Sequence, residues 1–319
     1  MKFLFFNGHN LYVKDKDIPK LRNGEVLIRI RMAGICKTDL EIVKGYMKFT
    51  GVLGHEFVGE VVEGDNTSWI GKRVVGEINC PCYNCAFCFA GRSRHCPNRT
   101  VLGIYEREGV FAEYTTLPER NLYIVPDNMP DEVAVFTEPV AAGYRILEQV
   151  HFSPNDCVVV LGDGRMGQLI SQIVSPHVRK LVCVGKYPHK LSHLQKLGIE
   201  TCLLSQWKGK NIDVVIDATG NPEAQSLALE MLKPKGTLVI KSTTEELNPI
   251  NLSKVVVDEI HIIGSRCGPF EPAIKGLAEK KVKVGYMISH VFDFEDIIKA
   301  FEVAQGKDCL KVLIDFRNK

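Results

Sequence analysis

Short runs of alternating apolar and polar residues, bounded by glycines, fill the first part of the chain. Val26 to Arg31, Phe57 to Val62, Arg73 to Ile78, Phe111 to Thr115 and Leu122 to Val125 carry the two-residue period of half-buried strands. They predict a partly open β-structure with short turns. From about Pro139 the pattern becomes strand, glycine, helix, repeated. Cys157 to Leu161, Leu181 to Val184, Thr201 to Leu204, Asp213 to Ile216, Thr237 to Ile240 and Ile260 to Ile263 are apolar and β-branched on both faces. Helical segments such as Pro222 to Leu232 separate several of them, and this alternation predicts a parallel sheet covered on both sides. After Gly264 the pattern predicts helices near Pro272 to Lys280 and Phe294 to Gln305 and a last strand over Lys311 to Phe316. This tail is expected to return to the first domain. One discontinuous domain would then hold 1–138 and 267–319, and the other 139–266.

Length agrees with that division, since 319 residues exceed one ordinary core and suggest two domains. Forty basic against 38 acidic residues leave a formal charge of +2. That balance argues against nucleic acid or an anionic membrane as partner. The apolar start Met1 to Phe6 turns polar at Asn7, too soon for a signal peptide, and no apolar run reaches 18 residues. A cytoplasmic protein is expected, and its eleven cysteines read as reduced thiols and metal ligands.

Four of those thiols stand close together. Cys82, Cys85 and Cys88 are followed by Cys96, within a lobe rich in Pro, Gly and polar residues. Four thiolates at this spacing suit one tetrahedral zinc ion, closed to substrate and structural in role. Chemistry must therefore be sought elsewhere.

The first parallel run leads into Gly162-Asp163-Gly164-Arg165-Met166-Gly167, and a helical sequence follows. A glycine-rich turn between strand and helix, opening a βαβ series, is the setting of a dinucleotide site. Gly162, Gly164, Arg165, Met166 and Gly167 are the expected cofactor contacts, with the pyrophosphate at the helix N-terminus. An NAD site would place Asp or Glu at the end of the second strand. Here Gly185-Lys186 stands there, with Lys190 one turn on. Gly185 leaves space for a 2′-phosphate and either lysine could pair with it, so the sequence leans towards NADP over NAD.

A second set of metal donors lies outside the cysteine lobe. Cys36, beside Gly34, and His55, beside Gly54, bring a thiolate and an imidazole close in sequence, and Glu138 adds a carboxylate before the parallel sheet begins. These donors suit a zinc with an open fourth position. Taken singly, each also reads as a buried thiol, a satisfied turn histidine and a helix-start carboxylate.

Together, Gly34-x-Cys36-x-Thr38-Asp39, Gly54-His55-Glu56-x-x-Gly59, the four-cysteine lobe, Glu138-Pro139, the glycine loop and Lys311-Val312 resemble the zinc-dependent medium-chain alcohol/polyol dehydrogenases. Glu138, where alcohol dehydrogenases have cysteine, is closer to the sorbitol and threonine dehydrogenase branch. The resemblance implies an α/β chain with a GroES-like β-barrel catalytic domain and a Rossmann domain, the active site in the cleft between them. It implies two zinc ions per chain, a homodimer or homotetramer, and a small alcohol or carbonyl substrate interconverted by hydride transfer with NAD(P). Cys36, His55 and Glu138 would hold the catalytic zinc, with Glu56 nearby and exchanging with water as a ligand. Thr38 would begin the proton relay, and Lys311 would contact the cofactor. The relay departs from the family at Glu41, where many members have histidine. Two other readings stay open: a quinone or enone reductase of the zinc-free type, and a nucleotide-binding relative without catalysis. The segment Gly45 to Thr50 offers Tyr46 and Phe49 either to a pocket or to packing.

Overall fold

The computed structural model describes residues 1–243 and 250–317. It divides into two units, one of 1–138, 273–278 and 287–319, the other of 139–272 and 279–286. The expected return of the whole 267–319 tail to the first domain needs correction. Residues 267–272 and 279–286 group with the second unit. Gln172 explains part of this: its Oε1 accepts the Lys283 N–H at 2.8 Å and its Nε2 donates to the Lys283 carbonyl at 3.1 Å. The Tyr286 hydroxyl donates to Gln168 at 2.8 Å in the same network.

The first unit is organised by one long strand, Glu25–Ile35. Its side chains are buried apart from the half-buried or exposed Arg29 and Arg31, so it reads as the spine of a core. Glu56–Gly64 pairs antiparallel along one edge, while Tyr114–Pro118 and Lys311–Asp315 share the other, the latter reached parallel by Ile288–Asp293. Arg73–Gly76 and Leu122–Ile124 complete this sheet. A three-stranded sheet orders Leu11–Asp15, Lys2–Phe6 and Gly51–Val52. The strand expected over Phe111 to Thr115 begins later, at Tyr114. Phe111 instead donates its N–H to the Leu53 carbonyl and accepts the Leu4 N–H on its own carbonyl. Its ring is fully buried edge-on against Phe301, the centroids 5.5 Å apart. Buried Asp131 ties the unit together by receiving Arg73 at 2.7 Å, Arg31 at 2.8 Å and Arg317 at 3.5 Å.

The second unit is a parallel sheet in the order Glu200–Leu203, Lys180–Gly185, Cys157–Leu161, Ile212–Asp217, Leu232–Ile240, His261–Gly264. Counted along the chain that order is 3-2-1-4-5-6, the doubly wound arrangement of dinucleotide-binding sheets. The strand alternation sends Val158, Val160, Cys183 and Ile216 into one apolar layer and Val159, Leu161, Val182 and Val215 into the other. Each such side chain contributes about 1.5–3 kcal/mol on burial, so neither face can be turned to solvent. No helix among the described residues is long and apolar enough to cross a membrane.

Candidate functional site

Strand pairing in the first unit delivers the metal donors to one place. Cys36 follows directly on Glu25–Ile35 and N-caps the helix Lys37–Val43, while Glu56 opens the neighbouring strand in register with Gly34. Between them Gly54 turns the chain at φ +94°, a conformation that an L side chain resists, and sets His55 inward. The result is a cluster in which one donor atom each of Cys36, His55 and Glu56 lies within 4.8 Å of the others. A Cβ at position 34 would come within 2.6 Å of Glu56 Oε2, so Gly34 is what lets that carboxylate lie against the strand.

Buried Asp39 is the hub beneath the cluster. It accepts the Cys36 N–H at 2.8 Å and the Gly54 N–H at 3.2 Å, and its Oδ1 stands 3.3 Å from His55 Nδ1. The last two atoms are at ion-pair distance without a well-directed hydrogen bond. Burial alone would depress the His55 imidazole; the Asp39 carboxylate and the Cys36 sulfur outweigh it and hold the group well above its ordinary 6.5. Asp39 was visible in the sequence only as the end of a motif. Its role depends on two backbone N–H groups that converge through folding.

One expectation changes here. Of the four residues expected at the catalytic zinc, Cys36, His55 and Glu56 converge, strand register setting Glu56 opposite Gly34, while Glu138 stands at the second position of the helix Thr137–Gln149 and is not among the donors that lie within 4.8 Å of one another. Lys311, expected to contact the cofactor, has its side chain only 2% exposed and ion-pairs with Glu56. Its Nζ also stands 5.5 Å from the Phe136 ring centroid. It opens the strand Lys311–Asp315, whose next residue pairs with Ile35, and this register carries the ammonium to Glu56. Thr38 remains at the cluster, its Oγ1 3.7 Å from Cys36 Sγ. Phe49 stacks over Gly51, where a Cβ would meet the ring at 3.2 Å, which favours packing for that aromatic.

In the cysteine lobe the four sulfurs lie within 4.8 Å of one another. Sγ separations are 3.5 Å for Cys82–Cys96, 3.6 Å for Cys85–Cys88 and 3.7 Å for Cys85–Cys96. These are too long for disulfides at about 2.05 Å. They match the edge of a tetrahedron about a zinc ion, about 3.8 Å for bonds of about 2.3 Å. The Asn84 N–H draws the Cys82 thiol down to about 6, while burial and donation to Cys85 and Cys96 push Cys88 up to about 11. One thiolate suppresses the next, so a cation is needed for all four to ionise.

In the second unit Gly162 turns at φ +110°, and a Cβ on Gly167 would lie 1.8 Å from the Gly162 carbonyl. The helix Arg165–Val174 can therefore start directly against the strand. Gly164 meets nothing within 4 Å where its Cβ would be, an open approach to the backbone that suits a pyrophosphate. Beside the second strand, Gly185 and exposed Lys186 line a cavity with Leu203, Leu204 and Ser205. Lys190 departs from expectation. It is buried on the helix Pro188–Lys196, with Nζ 4.6 Å from the Tyr187 ring centroid rather than standing free for a phosphate. Asp163 was missed altogether. Its carboxylate reaches across to Gly185, and the sequence signal was an acid between two glycines paired with a glycine where an acid was expected.

Known proteins are similar to the chain over nearly its whole length. Residues 22–127 match the alcohol dehydrogenase GroES-like domain, and residues 167–280 match the zinc-binding dehydrogenase domain. A sorbitol dehydrogenase of Halalkalibacterium halodurans is 27% identical, with 96% of each chain covered. The RspB alcohol dehydrogenase of Escherichia coli CFT073, complexed with cofactor NADH, superposes with a TM-score of 0.92 at 27% identity, covering 99% of both chains. A zinc-binding dehydrogenase of Sinorhizobium meliloti 1021 bound to NADP gives 0.89 at 25% identity, covering 98% of both. With both domains matched and relatives covered over nearly their whole length, the chain belongs to the zinc-dependent medium-chain alcohol/polyol dehydrogenase family, as an NAD(P)-linked oxidoreductase with a GroES-like and a Rossmann-type domain.

Proposed function

We propose that the protein holds two zinc ions, one in the Cys82, Cys85, Cys88 and Cys96 lobe and one on Cys36, His55 and Glu56, and oxidises a polyol or secondary alcohol at the second. The observation that carries this reading is the convergence of three zinc-type donors beside the Thr38 hydroxyl. Zinc bound there supplies a Lewis acid that lowers the pKa of a substrate hydroxyl. The chain's own groups do the rest. Asp39 orients His55 through Nδ1, leaving Nε2 for the ion. Thr38 Oγ1 accepts the substrate's hydroxyl proton, and solvent relays it onward, because Glu41 replaces the histidine of other members. NAD(P), when bound, would supply the hydride acceptor for the carbonyl-forming direction. Gly162, Gly164, Arg165, Met166 and Gly167 cradle that dinucleotide.

At the ribose end two groups compete. Exposed Lys186 suits a 2′-phosphate and supports NADP, while buried Asp163 opposes it. A homodimer or homotetramer is supported by exposed Leu252, Val256 and Val257 and by the strand His261–Gly264 at the sheet's edge. The eleven unpaired cysteines support a reducing, cytoplasmic setting. Zinc analysis of purified protein tests the reading: two ions per chain are expected, one after Cys36→Ala, with turnover on a panel of polyols and secondary alcohols lost. Full zinc content with undiminished turnover in that variant would sink it.

A further inference from the structure

We infer that Asp163, from the glycine loop, is the residue that selects NAD over NADP, standing in for the carboxylate missing from the second strand. The inference rests on the reading of the second unit as a dinucleotide site and deepens it.

The end of the strand Lys180–Gly185 is where a ribose-binding carboxylate belongs. Gly185 has no side chain to offer there. The space is filled from the other side: a Cβ at position 185 would lie 2.4 Å from Asp163 Oδ2, 2.5 Å from its Cβ and 2.6 Å from its Cγ. The two positions are thus complementary, and only glycine at 185 leaves room for the acid at 163. Asp163 is 6% exposed, and its Oδ2 accepts the Tyr187 N–H at 2.6 Å, so the carboxylate is fixed rather than swinging in solvent. Its own carbonyl accepts Gln168 Nε2 at 3.2 Å, which fixes the loop as well.

Gly185 borders the cavity that it shares with Lys186, Leu203, Leu204 and Ser205. A ligand ribose seated at this strand end meets the Asp163 carboxylate. A 2′,3′-diol donates to it, and a 2′-phosphate is repelled by it. Lys186 works the other way, but it is exposed, and an exposed lysine–phosphate contact changes affinity by less than about tenfold. A fixed, nearly buried charge outweighs a solvated, mobile one.

Binding measurements that need no turnover test this. ADP-ribose and its 2′-phosphate, then NAD and NADP, are titrated calorimetrically against the zinc-loaded protein and against Asp163→Asn. The asparagine keeps an oxygen for the Tyr187 N–H while it removes the negative charge and turns the second oxygen into an NH2 donor, so a merely structural role for Asp163 predicts no change in selectivity. The expected result is that wild type binds the unphosphorylated ligands at least about tenfold more tightly, and that Asp163→Asn cuts this ratio about tenfold or more. Asp163→Ser, also a neutral acceptor, replaces the asparagine variant if that one does not fold. Wild-type preference for the 2′-phosphorylated ligands overturns the inference, and so does a ratio unchanged within about twofold in the folded variant. Failure of all four ligands to bind wild type would instead refute the dinucleotide site itself.

Discussion

Lys311→Met tests the corrected place of Lys311. Its ammonium and the Glu56 carboxylate form a pair whose side chains are 2% and 1% exposed. Removing one member leaves the other charge buried without compensation, at a cost of about 3–5 kcal/mol. For a unit of this size each kcal/mol moves the melting midpoint by about 2–4 °C, so a fall of about 10 °C is expected. Differential scanning calorimetry reads it on protein whose zinc is confined to the four-cysteine lobe, so that no ion at Cys36, His55 and Glu56 compensates the carboxylate. The double variant Glu56→Gln with Lys311→Met carries no buried charge at either position and should recover part of the loss. In a double-mutant cycle the coupling should exceed about 1.5 kcal/mol, as expected for contacting residues. Dinucleotide affinity should change by less than about twofold, because the ammonium is spent on Glu56. A midpoint within about 2 °C of wild type, together with a tenfold weaker dinucleotide, would refute the reasoning and return Lys311 to the cofactor.

Three further outcomes follow from the geometry. Cys88→Ser should release one zinc per chain and lower the thermal midpoint, because the lobe has little apolar core to hold it; zinc analysis beside a melting curve checks both. Thr38→Val should lower kcat about tenfold or more while KM stays within about threefold, since the hydroxyl moves a proton rather than binding substrate; steady-state kinetics decide. At Asp213, burial raises the carboxyl, but donation from Lys233 and from the Cys157 N–H outweighs it and holds the group below its ordinary 3.8. A depressed folded-state pKa means its stabilisation is complete above the unfolded value and lost as pH falls through the folded one. Asp213→Asn should therefore reduce the drop in stability below about pH 4, measured by urea unfolding across pH.

The parallel strands were the most legible part of the fold, because short β-branched apolar runs alternating with helical segments mark a doubly covered sheet. Cys157–Leu161 came out with its expected ends, and the others shifted by a few residues at most, apart from Leu232–Ile240, which begins earlier than Thr237. The helix Pro222–Met231 was marked by Pro222 after Asn221, whose side chain caps the Glu223 N–H at 2.9 Å. In the first unit, Ile288–Asp293 escaped notice because its residues are mostly exposed and include Ser289 and His290. Its strand character comes from pairing with Lys311–Asp315, which no local pattern records. In the site, Cys36 and His55 were readable as donors flanked by glycines, and Glu138 as a carboxylate before the parallel sheet. Glu56 was reached only through the resemblance, because its place opposite Gly34 comes from strand pairing, which no local pattern records.

Charge balance explains why the donor cluster belongs to a dication. With Cys36 ionised, Cys36, Glu56 and Asp39 bring three negative charges into a nearly buried place, and Lys311 returns one positive charge. Two negative charges remain, and a core cannot hold them uncompensated. In the absence of an ion the imidazole must carry part of the burden, which is why Asp39 and Cys36 hold His55 well above its ordinary 6.5. A zinc ion there would supply the two missing charges, and His55 would then serve as a neutral ligand with its proton given up to solvent. Lys311 therefore matters to the metal although it does not touch it. With the ammonium gone, the cluster would stand at three negative charges and zinc would still leave one. Asp39 has the complementary task. It holds the imidazole from behind, and its two backbone donors at Cys36 and Gly54 keep its own charge satisfied when the proton on His55 is displaced.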